Sequence, residues 1–199
     1  MITRKEMTRM LLKEGLLSYL ANHSFESVTV TSLCKASGIT RSTFYLHYSN
    51  IMEIVDDLVD DAIAYSKPGM VDNNNLQTIA KTLSAASDSV SLREAYDSIF
   101  DRLPLCQRII RHKKYLPLFL DEQISEYVLQ RIIGSEKDRQ GLVMAEALGI
   151  SFDVGVSVFV FLVHGLYAIN KEYKWTQSDA WLEAQKVIFE LVYRGLQSK

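Results

Sequence analysis

The chain has 199 residues, 48% hydrophobic and 23% charged, with a formal net charge of −2 at pH 7. That is ample apolar material for a sizeable core, and the near-neutral balance excludes a chain-wide basic surface, so any polyanion site must be local. The two cysteines, Cys34 and Cys106, fit neither a Cys-x-x-Cys nor a Cys/His metal spacing, which suggests a reduced, intracellular protein without a disulfide.

The N-terminus, MITRKEMTRML, mixes charge into its first residues and lacks the basic-then-apolar pattern of a signal peptide, so a cytoplasmic location is expected. Residues 4–22 then place Leu12, Leu16, Leu17 and Leu20 at helical spacing, with Asn22, His23 and Ser24 able to stop the helix. Thr29 is positioned to N-cap a two-turn helix through Ser37 that buries Leu33 and Cys34. Gly38 supplies the left-handed residue that ends it, and Ile39 tucks inward. Thr40 caps the next helix, from Arg41 to about His47, with Phe44 and Tyr48 facing the core. A helix over 50–66 carries Ile51, Ile54, Val55, Leu58 and Ala62 on one face. Glu53, Asp56, Asp57, Asp60 and Asp61 lie on the other, which reads as a solvated face rather than a metal site because no His joins them.

The Pro-Gly and Asn-rich stretch SKPGMVDNNN, 66–75, breaks every pattern and marks a boundary. Beyond it, SLRE at 91–94 reads as a capping box, and Pro104 and Pro117 sit where helices would begin. Gly134 is expected to end a segment that starts near Leu116, followed by a helix over 135–149. Ser151 caps a long helix to about Tyr173, and Ser178 another to about Leu196. The apolar run 154–169 is shorter than the roughly 18–20 residues that span a bilayer and contains His164, so it reads as a buried core helix with no membrane partner. Its β-branched residues argue locally for a strand, but its length and the lack of partner strands favour helix, and the whole chain is expected to be all-α.

Two short helices around a Gly-containing turn form a helix-turn-helix, whose second helix enters the major groove of B-DNA with its N-terminal residues at the base edges. Arg41 has the fork that matches guanine, Ser42 can donate or accept, and Thr43, Tyr45 and His47 offer donors to phosphate. Backbone N–H groups following Thr29 and Thr40 add anion sites. Residues 1–50 contain six basic and three acidic residues, a local surplus of three. Enzyme chemistry finds no support: no nucleophile elbow, no His-Glu-x-x-His, no Glu-x-x-His pair and no Gly-rich phosphate loop occur, so no catalytic residue, metal or cofactor is expected.

The stretch SFESVTVTSLCKASGITRSTFYLHYSN resembles the DNA-binding domain of TetR-type transcriptional regulators, with ASGI as its turn and TRSTFYLHY as its recognition helix. The resemblance implies a helix-turn-helix domain over 1–50, a connecting helix 50–66, and a helical regulatory and dimerisation domain over 67–199. It further implies a homodimeric repressor that leaves a palindromic double-stranded operator when a small molecule binds. Carried over by position, Thr29, Thr43, Tyr45 and His47 look like phosphate contacts, and Arg41, Ser42 and Leu46 like base-edge readers. The chain departs from the family in having Ser42 where many members have Gly and Ile51 where many have Lys, and the second change removes a phosphate contact. Some relatives act as co-regulators through protein contacts, which is the alternative reading.

Two more expectations concern the C-terminal part. Trp181, Ala184, Ile188 and Leu191 form one apolar stripe and Leu182, Phe189, Tyr193 and Leu196 a neighbouring one, broader together than one core contact needs. The first set is therefore expected at a twofold interface beside the 152–173 helix. Tyr96 and Phe100, then Phe119, Gln123 and Tyr127, then Phe161, His164 and Tyr167 each form an aromatic stripe with a polar tip. If they converge they would enclose a pocket for a small apolar or aromatic effector, although His112 and His164 taken singly read as ordinary helix or core histidines.

Overall fold

The computed structural model describes residues 3–66, 75–103, 105–108 and 113–197. All regular structure among them is helical. The α-helices are α1 (Arg4–Leu20), α2 (Val30–Ser37), α3 (Arg41–Tyr45), α4 (Ile51–Ser66), α5 (Asn75–Ser84), α6 (Ser89–Ser98), α7 (Leu105–Arg108), α8 (Leu116–Leu120), α9 (Ser125–Leu148), α10 (Phe152–Glu172) and α11 (Asp179–Gln197). The chain divides into two compact units, one of Met1–Ala64 with His112–Ile132 and one of Tyr65–Arg111 with Ile133–Lys199. The sequence boundary at 66–75 lies mostly outside the described residues, and it gives no hint that 112–132 clusters with the N-terminal helices.

In the first unit, Thr3 and Glu6 close a reciprocal capping box at the start of α1. Leu12, Leu16, Leu33, Phe44, Ile54 and Leu58 form the core, all fully buried. Asp121 ties the later segment in. Its Oδ2 accepts from Phe25 N at 2.7 Å, while its Oδ1 accepts from Gln123 N at 2.9 Å and Ile124 N at 3.3 Å. That Asx turn separates α8 from α9, so the helix break falls there and not at Gly134, which α9 passes through. A single Gly in a helix with open space beside it lowers stability without ending the helix.

The second unit is built on α11, which packs on α5 and α6, with α10 against α7. Trp181 is 0% exposed, meets Tyr96 edge-on at 5.1 Å and donates from Nε1 to Asn170 Oδ1 at 3.0 Å. Lys186 Nζ donates to Ala86 O at 2.7 Å. Where α9 meets α10, a Cβ on Gly155 would overlap the Gly141 carbonyl and sit 2.9 Å from the Ala145 nitrogen, so only glycine permits the approach. The expected capping box at 91–94 is displaced: Asp88 caps α6 by accepting from Ser91 N at 2.8 Å and Ser91 Oγ accepts from Asp88 N at 3.1 Å, so the helix is capped three residues earlier. Pro117 does sit in the first turn of α8, and Pro104 lies outside the described residues.

α10 corrects the buried-helix expectation. At 21 residues it is, among the described residues, the one helix long and apolar enough to cross a bilayer. Gly155, Phe159, Leu162, Val163, Leu166, Tyr167 and Asn170 are buried, whereas Val154 and Phe161 are exposed, so one side is core and the other a bare apolar strip.

Candidate nucleic-acid interface

The helix-turn-helix is assembled by short-range caps. Thr29 Oγ1 accepts from Ser32 N at 3.0 Å and Ser32 Oγ accepts from Thr29 N at 3.0 Å, a reciprocal box that starts α2. Gly38 ends it at φ +67°, a left-handed conformation open to glycine, and Ile39 N then donates to Cys34 O at 3.0 Å. Thr40 Oγ1 accepts from Thr43 N at 3.2 Å and exchanges hydrogen bonds with Ser42 Oγ at 2.9 Å and Thr43 Oγ1 at 2.8 Å. α3 itself is shorter than the expected 41–47, stopping at Tyr45 with Leu46 as its C-cap. The dipole at its start is therefore that of a single turn.

Phe44 and Tyr48 anchor this turn inward, and Arg41, Ser42, Tyr45 and Leu46 all face solvent, Leu46 at 80% exposure. Thr43 and His47 are half-buried at the edges. A Leu so exposed on a well-anchored turn contributes nothing to the core. Thr29 and Thr40 are exposed, but their hydroxyls already serve the caps, so their availability to phosphate depends on exchanging those bonds.

Beneath α3 lies a polar clamp that the sequence reading missed. Asp57 of α4 accepts from Arg9 Nε at 3.0 Å, from Arg9 Nη2, and from the Tyr48 hydroxyl at 2.5 Å. Burial works to raise the Asp57 carboxyl, but the hydrogen bonds from Arg9 and Tyr48, with the charges of Arg9 and Lys13, outweigh it and hold the group below its ordinary 3.8. Burial and then the bond to Asp57 push the Tyr48 phenol above its ordinary 10.0. Lys13 Nζ meets Asp61 at 2.5 Å, Arg131 bridges Asp56 at 3.2 Å and Asp60 at 3.1 Å, and the Tyr127 hydroxyl donates to Asp56 at 2.6 Å. Glu53 accepts from Ser49 N at 2.8 Å at the start of α4. The acidic side of α4 is thus a docking face for α1, Tyr48 and α9, a correction of the solvated face expected from its own periodicity.

The clamp changes the electrostatics of the unit. Arg9 and Lys13, two of the six basic residues counted toward a positive N-terminal end, are neutralised by α4. Over 1–64 and 112–132 together there are nine basic and eleven acidic residues, a net of −2. Lys35 and Arg41 are exposed and, among the described residues, form no ion pair, as is true of Arg4, Lys5 and Lys113, so α2 and α3 hold two of the unit's five unpaired cations.

The other expected sites are rearranged. Phe119, Gln123 and Tyr127 fall in the first unit, where Phe119 is core, Gln123 Nε2 reaches Glu26 at 3.4 Å and Tyr127 is spent on Asp56. Tyr96, Phe100, Phe161, His164 and Tyr167 belong to the second. Phe161 is 73% exposed and lines no enclosed space within that unit. Tyr96 donates to Gln107 Oε1 at 3.4 Å, and Tyr167 is buried edge-on to Trp175 at 5.6 Å. On α11 the fully buried Trp181 is unavailable to a second chain, while Ala184 and Ile188 are half-buried and Leu191 is 65% exposed. The indole turns inward because Asn170 offers its N–H a buried acceptor. No group of three or more His, Cys, Asp or Glu side chains that could hold a metal occurs among the described residues.

No family model and no curated protein matches the chain. A comparison of folds aligns 94% of this chain with 96% of the TetR family repressor AlkX from Dietzia sp. strain DQ12-45-1b, a protein implicated in biodegradation of n-alkanes, at 14% identity and a TM-score of 0.40.

Proposed function

We propose that the protein is a DNA-binding transcriptional regulator of the TetR type, a homodimeric repressor released from a palindromic operator by a small-molecule effector. The observation that carries this is the anchored turn α3, which presents Arg41, Ser42, Tyr45 and Leu46 side by side to solvent with Arg41 unspent on any ion pair among the described residues. Arg41 reads a guanine edge, Ser42 and Leu46 read neighbouring bases, and Tyr45, Thr43, His47 and Thr29 hold phosphates. Thr40 positions the turn. Lys35 joins the phosphate contacts.

Dimerisation uses the bare apolar strips of the second unit: Val154 and Phe161 on α10 with Val187 and Leu191 on α11, beside the half-buried Ile188. A twofold pairing of two such helix pairs would bury four strips, and a palindromic operator would present its two half-sites about one DNA turn, roughly 34 Å, apart. The effector is a small molecule held in the second unit, with Tyr96, Phe100, His164 and Tyr167 as remaining aromatic candidates.

The test is selection of duplexes from a randomised library by the full chain at modest salt. Enrichment of an inverted repeat supports the proposal, and the absence of any enriched duplex overturns it. The net charge of −2 on the first unit favours a second reading, a co-regulator that acts through protein contacts, which the same experiment separates by showing no DNA binding even at low salt.

A further inference from the structure

Gln185 is out of place in the second unit. It is 0% exposed, on the inner side of α11, with the buried Trp181 one turn before it and the buried Phe189 one turn after. Neither its Oε1 nor its Nε2 has a hydrogen-bond partner among the described residues. A second amide shares the condition: Gln107, also 0% exposed, accepts from the Tyr96 hydroxyl at 3.4 Å while its Nε2 is unmet. Tyr96 links the two helices, because its ring also packs edge-on against Trp181. Cores satisfy buried amides or replace them with apolar residues of similar size, since an unmet donor and acceptor forfeit their hydration with no return. Gln185, unmet at both atoms in an otherwise apolar row, and Gln107 on α7, unmet at Nε2, call for a polar occupant.

We propose that Gln185, supported by Gln107 and walled by Tyr96 and Trp181, forms a binding site for a small, neutral, planar molecule with adjacent N–H and C=O groups, such as a lactam, an imide or a primary carboxamide, on an apolar body. A side-chain amide offers an acceptor and a donor side by side, and a partner with the reverse pair satisfies both at once. A carboxylate would set its oxygen against Oε1, and a hydrocarbon would leave both atoms unmet. Charge is also disfavoured, because the buried row Trp181, Leu182, Gln185 and Phe189 carries none, and buried Arg108 is already placed 3.7 Å from Asp101 and over the Phe100 ring. Gln107 Nε2 supplies one further donor, which suits the second carbonyl of an imide. This deepens the regulator reading by giving the effector a chemical class, and rests on that reading only for the consequence on DNA.

The experiment titrates the full chain, without DNA, with 2-pyridone, glutarimide and 2-quinolinone, and with quinoline and 2-naphthoate as controls lacking the donor–acceptor edge, following Trp fluorescence and heat. The expected result is at least about tenfold tighter binding of one or more amide-edged probes than of either control. Gln185→Leu should abolish that preference while keeping the wild-type Tm or raising it, and Gln185→Met serves if Leu does not fold. Failure of all three amide-edged probes to bind, or equal binding to the wild type and the Gln185 variants, overturns the proposal and leaves a buried amide with at most a water. Release of the selected operator is measured separately. Probe binding by a chain that binds no DNA keeps the site and removes the regulator reading.

Discussion

Arg41 and Asp57 carry the residue-scale chemistry, one by being unspent and the other by being fully engaged. Arg41→Ala should weaken operator binding by about 1–3 kcal/mol and relax base preference at one position, whereas Lys35→Ala should weaken all sequences evenly and lower the salt slope. Binding titrations on single-base operator variants at two salt concentrations distinguish these outcomes. Asp57 makes a pH prediction with a definite sign. Its folded pKa lies below the ordinary 3.8, so its stabilising share is complete above that value and is lost as pH falls through the lower folded value. Asp57→Asn should therefore be less stable than wild type at neutral pH, by about 1–3 kcal/mol for hydrogen bonds to a charged group, with the gap constant from neutral to about pH 5 and closing below about pH 4. Urea unfolding across that range measures it, and a gap that widens on acidification contradicts the clamp. None of this was legible in the acidic face of 50–66, because Arg9 lies 48 positions and Arg131 71 positions from the carboxylates they meet.

At the scale of elements, two glycines decide geometry for different reasons. Gly38 holds φ +67° between α2 and α3, and a Cβ there meets no neighbour, so Gly38→Ala should cost only the backbone strain of a left-handed residue, about 1–2 kcal/mol. Gly155 is blocked by the backbone of α9, so Gly155→Ala must push the helices apart and should cost about 1–3 kcal/mol or more, the penalty of an overpacked contact. Thermal unfolding of both variants checks the magnitudes, and an unperturbed Gly155→Ala would contradict the close crossing. The first glycine could be read from sequence because its neighbours Thr29, Ser37 and Thr40 form the motif themselves. The second could not, since the carbonyl it must clear belongs to Gly141 in another helix. Gly134 shows the converse, where a punctuating residue is overridden because Asp121, thirteen positions earlier, has already made the break.

For the whole molecule, assembly is the open consequence of α10 and α11. Phe161 and Leu191 are 73% and 65% exposed, so an aspartate at either would stand in solvent in a monomer. Phe161→Asp with Leu191→Asp should convert a dimer to a monomer in sedimentation at micromolar concentration, with helix content by circular dichroism unchanged. Operator affinity should fall by about tenfold or more as the second half-site loses its tethered partner. A wild-type chain that sediments as a monomer would remove both the interface and the one-turn spacing argument.

The helix-turn-helix, its caps and its outward Arg41, Tyr45 and Leu46 were determined by the sequence itself, because each depends on side chains reaching backbone groups two to five residues away. The all-helical character followed in the same way from the period of the apolar positions. Only the tertiary structure decided how the first α11 stripe divides between core and surface, since Trp181 and Leu191 are both apolar and the inward turn of Trp181 rests on Asn170 being in place to take the indole proton. It likewise decided that α4 is a clamp and that Gln185 is buried without a partner among the described residues. Local rules act through covalent neighbours and are written in order along the chain. Which charges meet, which face is covered and which amide is stranded depend on distant segments brought into contact, and burial turns those contacts from weak to decisive.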